Sequence, residues 1–252
     1  MFYDRLRVIS DIHAIRWWDK AADCAPAGEM TSFVDKSDAL DFQLLFDGDV
    51  FDFWKEPSYK KVTGAWDRFL KRLAAMKHEP ILIKGNHDVL PWGRDVSRRL
   101  LDDYGLVFRD GPVYDEGHKT LFLHGHRFDS PNKPKRKFGF LVTRALAFLE
   151  RKIWPDIDKA YHVLKRMIPP NESDVDYAFE CAKLAVEYGA DTVVFGHTHE
   201  RDSWAPWAHG YGWYKVHILN SGHCTNVPRI TRDFLERVDD VWSLKSFKGG
   251  GR

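Results

Sequence analysis

The stretch QLLFDGDVFD, residues 43–52, indicates the fold of this chain most directly. Its first part has the composition of a short buried strand, and a glycine and three aspartates follow at once. Four further apolar runs along the chain are each followed by polar residues of the kinds that bind metals. These polar groups are Asp11-Ile12-His13, Gly85-Asn86-His87-Asp88, His124-Gly125-His126 and Gly196-His197-Thr198-His199. The sequence thus places polar side chains where predicted strands end.

Predicted helices separate the early strands. Helical spacing of apolar residues covers 64–77, and shorter helices are expected near 32–41 and 94–104. Alternating strands and helices are typical of an α/β fold with a parallel sheet, in which loops at the carboxyl ends of strands line the ligand crevice. Residues 106–123 and 203–246 are richer in strand-forming residues, so we expect further strands there.

A block of helices is predicted between the fourth and fifth polar groups. Apolar stripes run through 138–153 and 157–168, and a third helix is expected from Ser173 to Tyr188, before Gly189. We expect one domain over residues 1–252, with this block as a helical insertion at about 133–188 that caps the site.

Composition and charge argue against several classes of protein. The 252 residues carry a net charge of +1, which gives no general attraction to nucleic acids or membranes. The three cysteines are odd in number and form no CxxC pattern, and the N-terminus has no signal-peptide pattern. The longest apolar stretch, 138–149, is too short to span a bilayer. We therefore expect a cytoplasmic protein, with peripheral contact at the inner membrane face as an option.

The polar groups offer carboxylate, amide and imidazole ligands without cysteine, which argues against a closed structural zinc site and favours an open catalytic one. A carboxylate has two oxygens, so Asp49 could bridge two ions. Two neighbouring ions can grip both the attacking and the leaving oxygen of a phosphoryl displacement. The residues therefore predict phosphoester hydrolysis.

The five polar groups, in this order, resemble the signature of the calcineurin-like metallophosphoesterases. The resemblance implies a four-layer α/β/β/α sandwich and two divalent ions, manganese with iron or zinc as alternatives. It also implies that a metal-bridging hydroxide attacks a phosphomonoester, phosphodiester or diphosphate. By the same resemblance, the first metal would be held by Asp11, His13, Asp49 and His199, and the second by Asp49, Asn86, His124 and His197.

The resemblance further implies that His87 donates a proton to the leaving group and that the adjacent Asp88 orients or charges it. Asp52 and Asp88 are interpreted either as partners of site residues or as turn formers that bond their own backbone. For His126 the alternatives are a place beside metal or substrate and simple packing. Trp54, like Trp17 and Trp18, flanks a metal-binding group and is either a substrate contact or core.

Within this superfamily, residues 48–54 and the basic helical block resemble the UDP-2,3-diacylglucosamine pyrophosphatases of lipid A synthesis. Those enzymes usually carry arginine at the position of His87 and aspartate at that of His126. The expected substrate is a phosphate-containing small molecule or a lipid-linked one, without a stable nucleic acid partner; the oligomeric state is left open. The alternatives are such a pyrophosphatase at the membrane surface, a nuclease or nucleic-acid phosphatase, and a non-catalytic scaffold.

A basic run in the helical block is either a contact for phosphate or anionic lipid, or a solvated face. It consists of Lys133, Lys135, Arg136, Lys137, Arg144, Arg151 and Lys152.

Overall fold

A computed structural model describes residues 2–16, 24–90, 95–128, 136–152, 173–197, 203–204, 216–221 and 232–247, with the backbone alone for 136–140, 173–176 and 203–204. The strands are β1 (Leu6–Ile9), β2 (Gln43–Asp47), β3 (Ile81–Ile83), β4 (Phe108–Arg109), β5 (Val113–Asp115), β6 (Thr120–Leu123), β7 (Thr192–Phe195), β8 (Ser203–Trp204), β9 (His217–Asn220), β10 (Asp233–Val238) and β11 (Val241–Ser246). The helices are α1 (Ala27–Ala39), α2 (Tyr59–Ala65), α3 (Asp67–Ala74), α4 (Ser97–Tyr104), α5 (Arg136–Lys152) and α6 (Ser173–Glu187).

The described strands form two sheets. The first has the order β11-β10-β1-β2-β3-β4, and the second has the order β5-β6-β7-β9-β8. Strands β1 to β4 pair in parallel, as do β6, β7 and β9, while the pairs β1–β10, β10–β11, β5–β6 and β8–β9 are antiparallel. The parallel core of each sheet brings the carboxyl ends of its strands to one edge, as the alternation of strands and helices predicts.

Apolar side chains between the two sheets form the centre of the molecule. Leu6, Val8 and Leu45 from the first sheet join Phe122 and Val194 from the second in one buried cluster. Alternate residues of the same strands face outward, because side chains of a strand point to opposite faces in turn. Ile9, Leu44 and Phe46 accordingly lie in a different cluster, beneath the helices.

Helices cover the outer face of each sheet. Phe33 of α1, Val62 of α2 and Phe69 of α3 pack on the first sheet. On the second sheet, Tyr177 and Cys181 of α6 pack beside Val193. The layers therefore follow the order α/β/β/α, and the predicted four-layer sandwich is confirmed.

Helix α6 is the covering layer of the second sheet, although the predicted insertion at 133–188 included it. Ala178, Ala182 and Ala185 of α6 are buried against strand residues because small side chains allow close packing there. Of the other predicted helices in that block, α5 is present, while the stripe over 157–168 lies outside the described residues. Within the described ranges, no helix has the length and apolarity needed to cross a membrane.

Two helix boundaries differ from expectation. The helix predicted over 64–77 is instead two helices that meet at Trp66, where the backbone leaves helical geometry at ψ 13°. The indole of Trp66 is fully buried and donates a 2.6 Å hydrogen bond to the carbonyl of Ile15. Helix α1 begins at Ala27, five residues before the expected start, directly after Pro26, which suits the start of a helix.

Candidate metal centre

The backbone bends sharply where the strands end. Asp11, His13, Asp49 and His197 all have φ between 50° and 69°, in the left-handed region. This conformation costs a non-glycine residue about 1–2 kcal/mol. Such strained positions are concentrated at functional sites, because the turn must aim a side chain in one direction. The polar residues after β1, β2 and β7 thus point toward a common centre.

Two glycines allow the strand ends to approach each other closely. Gly48 has φ +87°, and a Cβ there would overlap the ring of His124. A Cβ on Gly85 would overlap the carboxylate of Asp49. Since any larger residue would push these side chains apart, both glycines are needed for the site to close.

The polar side chains at the strand ends form what we call the carboxyl-end cluster, which consists of Asp11, His13, Asp49, Asn86, His87, His124 and His197. Donor atoms of five of them fall into two groups, and within each group all atoms lie within 4.8 Å of one another. One group contains His13, Asp49 and His87, and the other contains Asp49, His124 and His197. Asp49 Oδ2 is 3.9 Å from His13 Nε2 and 3.1 Å from His124 Nε2. Asp49 therefore belongs to both groups, as a bridging ligand would.

Asn86 provides an independent test of whether a cation fits. Its side chain is 7% exposed, and its Oδ1 atom is buried without a hydrogen-bond partner among the described residues. A buried polar atom normally has a partner, and leaving one unpaired costs roughly 1–3 kcal/mol. The donor set of carboxylate, amide and imidazole suits a divalent cation, which would satisfy this oxygen.

Asp11 is held by contacts that the sequence analysis did not identify. Its Oδ2 accepts hydrogen bonds from the Ser10 hydroxyl and, at 2.9 Å, from the backbone N–H of His197. Ser221 Oγ lies 2.9 Å from Ser10 Oγ, which joins the end of β9 to the end of β1. The other carboxylate oxygen of Asp11, Oδ1, is 3.8 Å from His13 Nε2. The serines therefore fix the orientation of a predicted ligand.

Within the cluster, the pKa of a carboxylate is lowered and the pKa of an imidazole is raised, because each favours the charged form of the other. Burial alone would raise the pKa of Asp49, but His124, His87 and His13 hold it well below its usual range. Burial would lower the pKa of His124, whereas the nearby carboxylates of Asp49 and Asp11 raise it to about 10. A cation that binds His124 must displace a proton, so metal affinity should fall at low pH.

The contact that sequence reasoning gave to Asp88 is made by Asp52 instead. His87 Nδ1 lies 2.9 Å from Asp52 Oδ1. The carboxylate of Asp88 accepts hydrogen bonds from the backbone N–H groups of Phe51 and Gly85, at 2.7 and 2.9 Å. Both of its oxygens are thereby turned toward the backbone of two loops. Adjacency in sequence misled the prediction, because successive residues of a turn point in different directions.

Asp52 is suited to orient His87. Burial would raise the pKa of Asp52, but His87 and His13 hold it well below its usual range, so Asp52 is an anion. An anionic carboxylate can only accept, and His87 Nδ1 therefore carries the hydrogen of this bond. Trp54 stacks on the His87 ring, with centroids 4.3 Å apart and planes 26° apart. The imidazole is thus fixed both at its edge and on its face.

His126 and Tyr177 lie beside the second donor group. The ring of His126 is 5.4 Å from that of His124 and 6.3 Å from that of His197, which favours its interpretation as a neighbour of the metal ligands. Tyr177 of α6 donates a 3.0 Å hydrogen bond to the carbonyl of His124. It also stacks on His197 at 6.1 Å. Nothing in the local sequence around Tyr177 indicated this role.

Several predicted site residues lie outside the described part of the chain: His199, Trp17, Trp18, Lys133 and Lys135. The backbone alone is described at Arg136 and Lys137. The assignments of these residues remain predictions.

Comparisons with known proteins identify the family of this chain. A family model described as calcineurin-like phosphoesterase matches residues 5–201. An archaeal phosphodiesterase of solved structure is 13% identical, with a TM-score of 0.50 over 96% of this chain and 99% of that one. A metallophosphoesterase from Sphaerobacter thermophilus is 14% identical, with a TM-score of 0.46 over 97% of this chain and 88% of that one.

Vps29 from Entamoeba histolytica, solved in complex with Zn²⁺, is also 14% identical, with a TM-score of 0.45 over 96% of this chain and 98% of that one. At such identities the likeness concerns the fold alone. Among curated proteins, no sequence matches the chain.

Proposed function

This chain belongs to the calcineurin-like phosphoesterase family, and we propose that it hydrolyses phosphoester bonds with two divalent metal ions at the carboxyl ends of its strands. The observation that carries the proposal is the position of Asp49, whose carboxylate belongs to both groups of donor atoms. The buried, unpartnered Oδ1 of Asn86 supports it independently within the described residues.

The residues that would hold the ions are Asp11, His13, Asp49, Asn86, His124 and His197, together with His199. When bound, the two cations would supply positive charge that activates water and stabilises the charge developing on the phosphoryl oxygens. The chain's own contribution is to keep these side chains in place before substrate arrives. The serine contacts to Asp11 and the Tyr177 contact to His124 serve that purpose.

His87 is the proposed proton donor to the leaving group. Its Nδ1–H is committed to Asp52, so the proton exchanged with substrate is carried at Nε2. Stacking against Trp54 prevents the ring from rotating away. A general acid held in this way is typically worth about two to four orders of magnitude in rate, and most for leaving oxygens that are strong bases.

The proposed substrate is a small phosphate-containing molecule. The net charge of +1 supplies no general attraction for nucleic acid, which argues against a nuclease. A lipid-linked diphosphate is the second candidate, because α5 exposes Leu141 and Phe148, with Arg144 exposed on the same helix. Apolar and basic residues on one helix suit a substrate that carries both an acyl chain and phosphate.

The test is turnover on a panel, with protein stripped by EDTA and reconstituted with Mn²⁺, Fe²⁺ or Zn²⁺. The panel contains p-nitrophenyl phosphate, its bis-ester, nucleotide diphospho-sugars, UDP-diacylglucosamine and single-stranded DNA. We expect metal-dependent hydrolysis of at least one phosphoester and none of DNA. Protein that binds metal but hydrolyses no member of the panel would favour the scaffold alternative.

A further inference from the structure

The last turn of α5 contacts the loop that follows β2. The guanidinium of Arg151 donates from both Nη1 and Nη2 to the carbonyl of Lys55, each at 3.3 Å. The neighbouring Glu150 is 4% exposed and Lys55 is 6% exposed, so this end of the helix is buried against the loop. A guanidinium that donates twice to one carbonyl fixes the position of that peptide group.

The fixed peptide group belongs to a turn that also binds His87. The Lys55 N–H donates a 3.0 Å hydrogen bond to Asp52 Oδ1, the same oxygen that accepts from His87 Nδ1. The backbone N–H of Glu56 closes the turn by donating to the Asp52 carbonyl at 3.1 Å. Trp54, which stacks on His87, lies within this turn. Both contacts to the imidazole therefore come from residues 52–54 of one small turn.

The turn is also anchored to the loop after β1. Arg16 Nη2 lies 3.1 Å from Glu56 Oε2, and the Asp52 N–H donates to the carbonyl of Ala14 at 3.1 Å. These anchors belong to the loops of the first sheet, whereas Arg151 comes from the helical insertion. Displacement of α5 would therefore act on the turn through the Lys55 carbonyl.

We propose that Arg151 is a positioning residue that couples the helical insertion to the proton donor His87, through the Lys55 peptide group and the Asp52 carboxylate. The inference rests on the proposed function, since it concerns the acid of that reaction. It assigns Arg151 a role other than the phosphate contact considered for the basic run. With α5 in place, the turn holds the imidazole in its donating orientation; without the guanidinium, the turn keeps only its anchors to the loop after β1 and is held less firmly.

The kinetic test compares Arg151→Met with Arg68→Met, since Arg68 is an exposed arginine of α3 to which no part of the site is assigned. Methionine keeps an apolar stem while removing the guanidinium. Aryl phosphates and matched bis-aryl phosphodiesters would be used, with 4-nitrophenol or phenol as leaving group. For Arg151→Met we expect kcat to fall about tenfold with phenol and less than about threefold with 4-nitrophenol, with KM unchanged. Arg68→Met should match the parent, and Arg151→Lys should recover part of the loss.

A second readout does not depend on turnover. In proton NMR spectra of the full chain, metal-free and Zn²⁺-loaded, the hydrogen-bonded Nδ1–H of His87 would be assigned by its loss in His87→Gln. We expect this signal to broaden or vanish in Arg151→Met and to persist in Arg68→Met, because a loosened turn lets the proton exchange with water.

The inference is overturned if Arg151→Met retains the signal and the leaving-group dependence of Arg68→Met. A raised KM for every ester with an unaltered signal would overturn it too, since Arg151 would then contact substrate phosphate directly. If the parent protein hydrolyses none of the esters, the proposed function fails, and the NMR comparison alone decides whether Arg151 positions His87.

Discussion

Imidazole and carboxylate side chains gather at both ends of the strands, and the two clusters differ in how their charges are balanced. The carboxyl-end cluster lies after β1, β2 and β6. At the opposite ends of β1 and β6 lies an amino-end cluster, which we define as Asp115, His118 and Arg237. There Asp115 Oδ2 is 3.0 Å from Arg237 Nη1 and 2.8 Å from His118 Nδ1.

Charge is compensated at the amino ends by the protein itself. Arg237 is fully buried, and its Nη2 also donates to the carbonyl of Tyr3 at 2.9 Å. His118 Nε2 lies 3.3 Å from Asp4 Oδ1. At the carboxyl ends, by contrast, the buried oxygen of Asn86 has no partner in the described part of the chain. Polar residues that form hydrogen bonds and ion pairs with one another thus stabilise the fold at the amino ends. At the carboxyl ends, a buried acceptor without a partner among the described residues indicates a bound ligand.

The largest expected effect is that of removing the shared ligand at the carboxyl ends. Asp49→Ala should lower turnover by about three orders of magnitude or more, because both proposed ions lose a carboxylate oxygen. The matched control is Asp115→Ala at the amino ends, whose turnover per folded molecule should match the parent. Steady-state kinetics on metal-replete protein, with circular dichroism to confirm folding, measures both. Near-parental turnover of Asp49→Ala would contradict a catalytic role for the carboxyl-end cluster and so remove its difference from the amino-end cluster.

The second prediction concerns the proton donor. His87→Ala should lower kcat by about two to four orders of magnitude for alkyl leaving groups and much less for p-nitrophenol, whose oxygen needs little help from an acid. Asp52→Asn should show the same pattern in weaker form, because an amide no longer stabilises the oriented imidazole. Equal losses for good and poor leaving groups would contradict the acid role.

The third prediction tests the amino-end cluster. Arg237→Met should lower the free energy of unfolding by about 3–5 kcal/mol, since it leaves the buried carboxylate of Asp115 without its guanidinium partner. The double variant Asp115→Asn with Arg237→Met should recover part of that loss. Urea denaturation measures the effect, and metal bound per folded molecule should stay unchanged. A loss of metal without a loss of stability would mean that the two ends do not have separate roles.

The last expected effect, which is absent near pH 4 and grows only as pH rises, concerns Asp47, which lies two residues before Asp49. Burial and the nearby Asp11 raise the pKa of Asp47 well above its usual value, against the attraction of His124. The pKa of Asp47 is therefore higher in the folded protein than in the unfolded chain. Below about pH 4 the carboxyl is protonated in both states and its full contribution to stability is present. That contribution is lost as pH rises through the folded pKa, because the buried group must then ionise.

Asp47→Asn, which cannot ionise, should thus gain stability relative to the parent as pH rises above about 4, by up to ~1.4 kcal/mol per pH unit. Melting curves of metal-free protein between pH 4 and pH 9 measure this difference. A difference that is independent of pH would show that Asp47 does not change its protonation in the fold.

The sequence predicted the strands and the convergence of the polar residues that follow them from local pattern, whereas the four layers were expected from the resemblance to the calcineurin-like metallophosphoesterases. Apolar runs marked strands, and the alternation with helices placed their ends on one edge. The helix break at Trp66 was missed, because apolar spacing continues through it and the cause is a hydrogen bond to Ile15, 51 residues away. Periodicity carries no information on such a distant contact.

The gathering of polar side chains at the site was predictable, and the contacts that hold them were less so. Residue type and position after a strand make Asp49 and His124 candidate ligands. The partner of His87 was assigned to the adjacent Asp88, whereas the structure brings Asp52 to it across 35 residues. Tyr177, 53 residues from His124, could not be found at all, since a tyrosine on an apolar helix face looks like core. Supporting contacts depend on packing, which a single sequence does not encode locally.

The most direct test of the central claim is the number of metal ions bound per chain. Native mass spectrometry of protein reconstituted with Mn²⁺ or Zn²⁺ would count them in the parent, in Asn86→Ala and in Asp115→Ala. The account predicts two ions in the parent and in Asp115→Ala, and one or weakened occupancy in Asn86→Ala, because the single amide oxygen of Asn86 is expected to bind only one of them. A parent protein that binds one ion or none, or an Asn86→Ala variant that holds two as tightly, would contradict it.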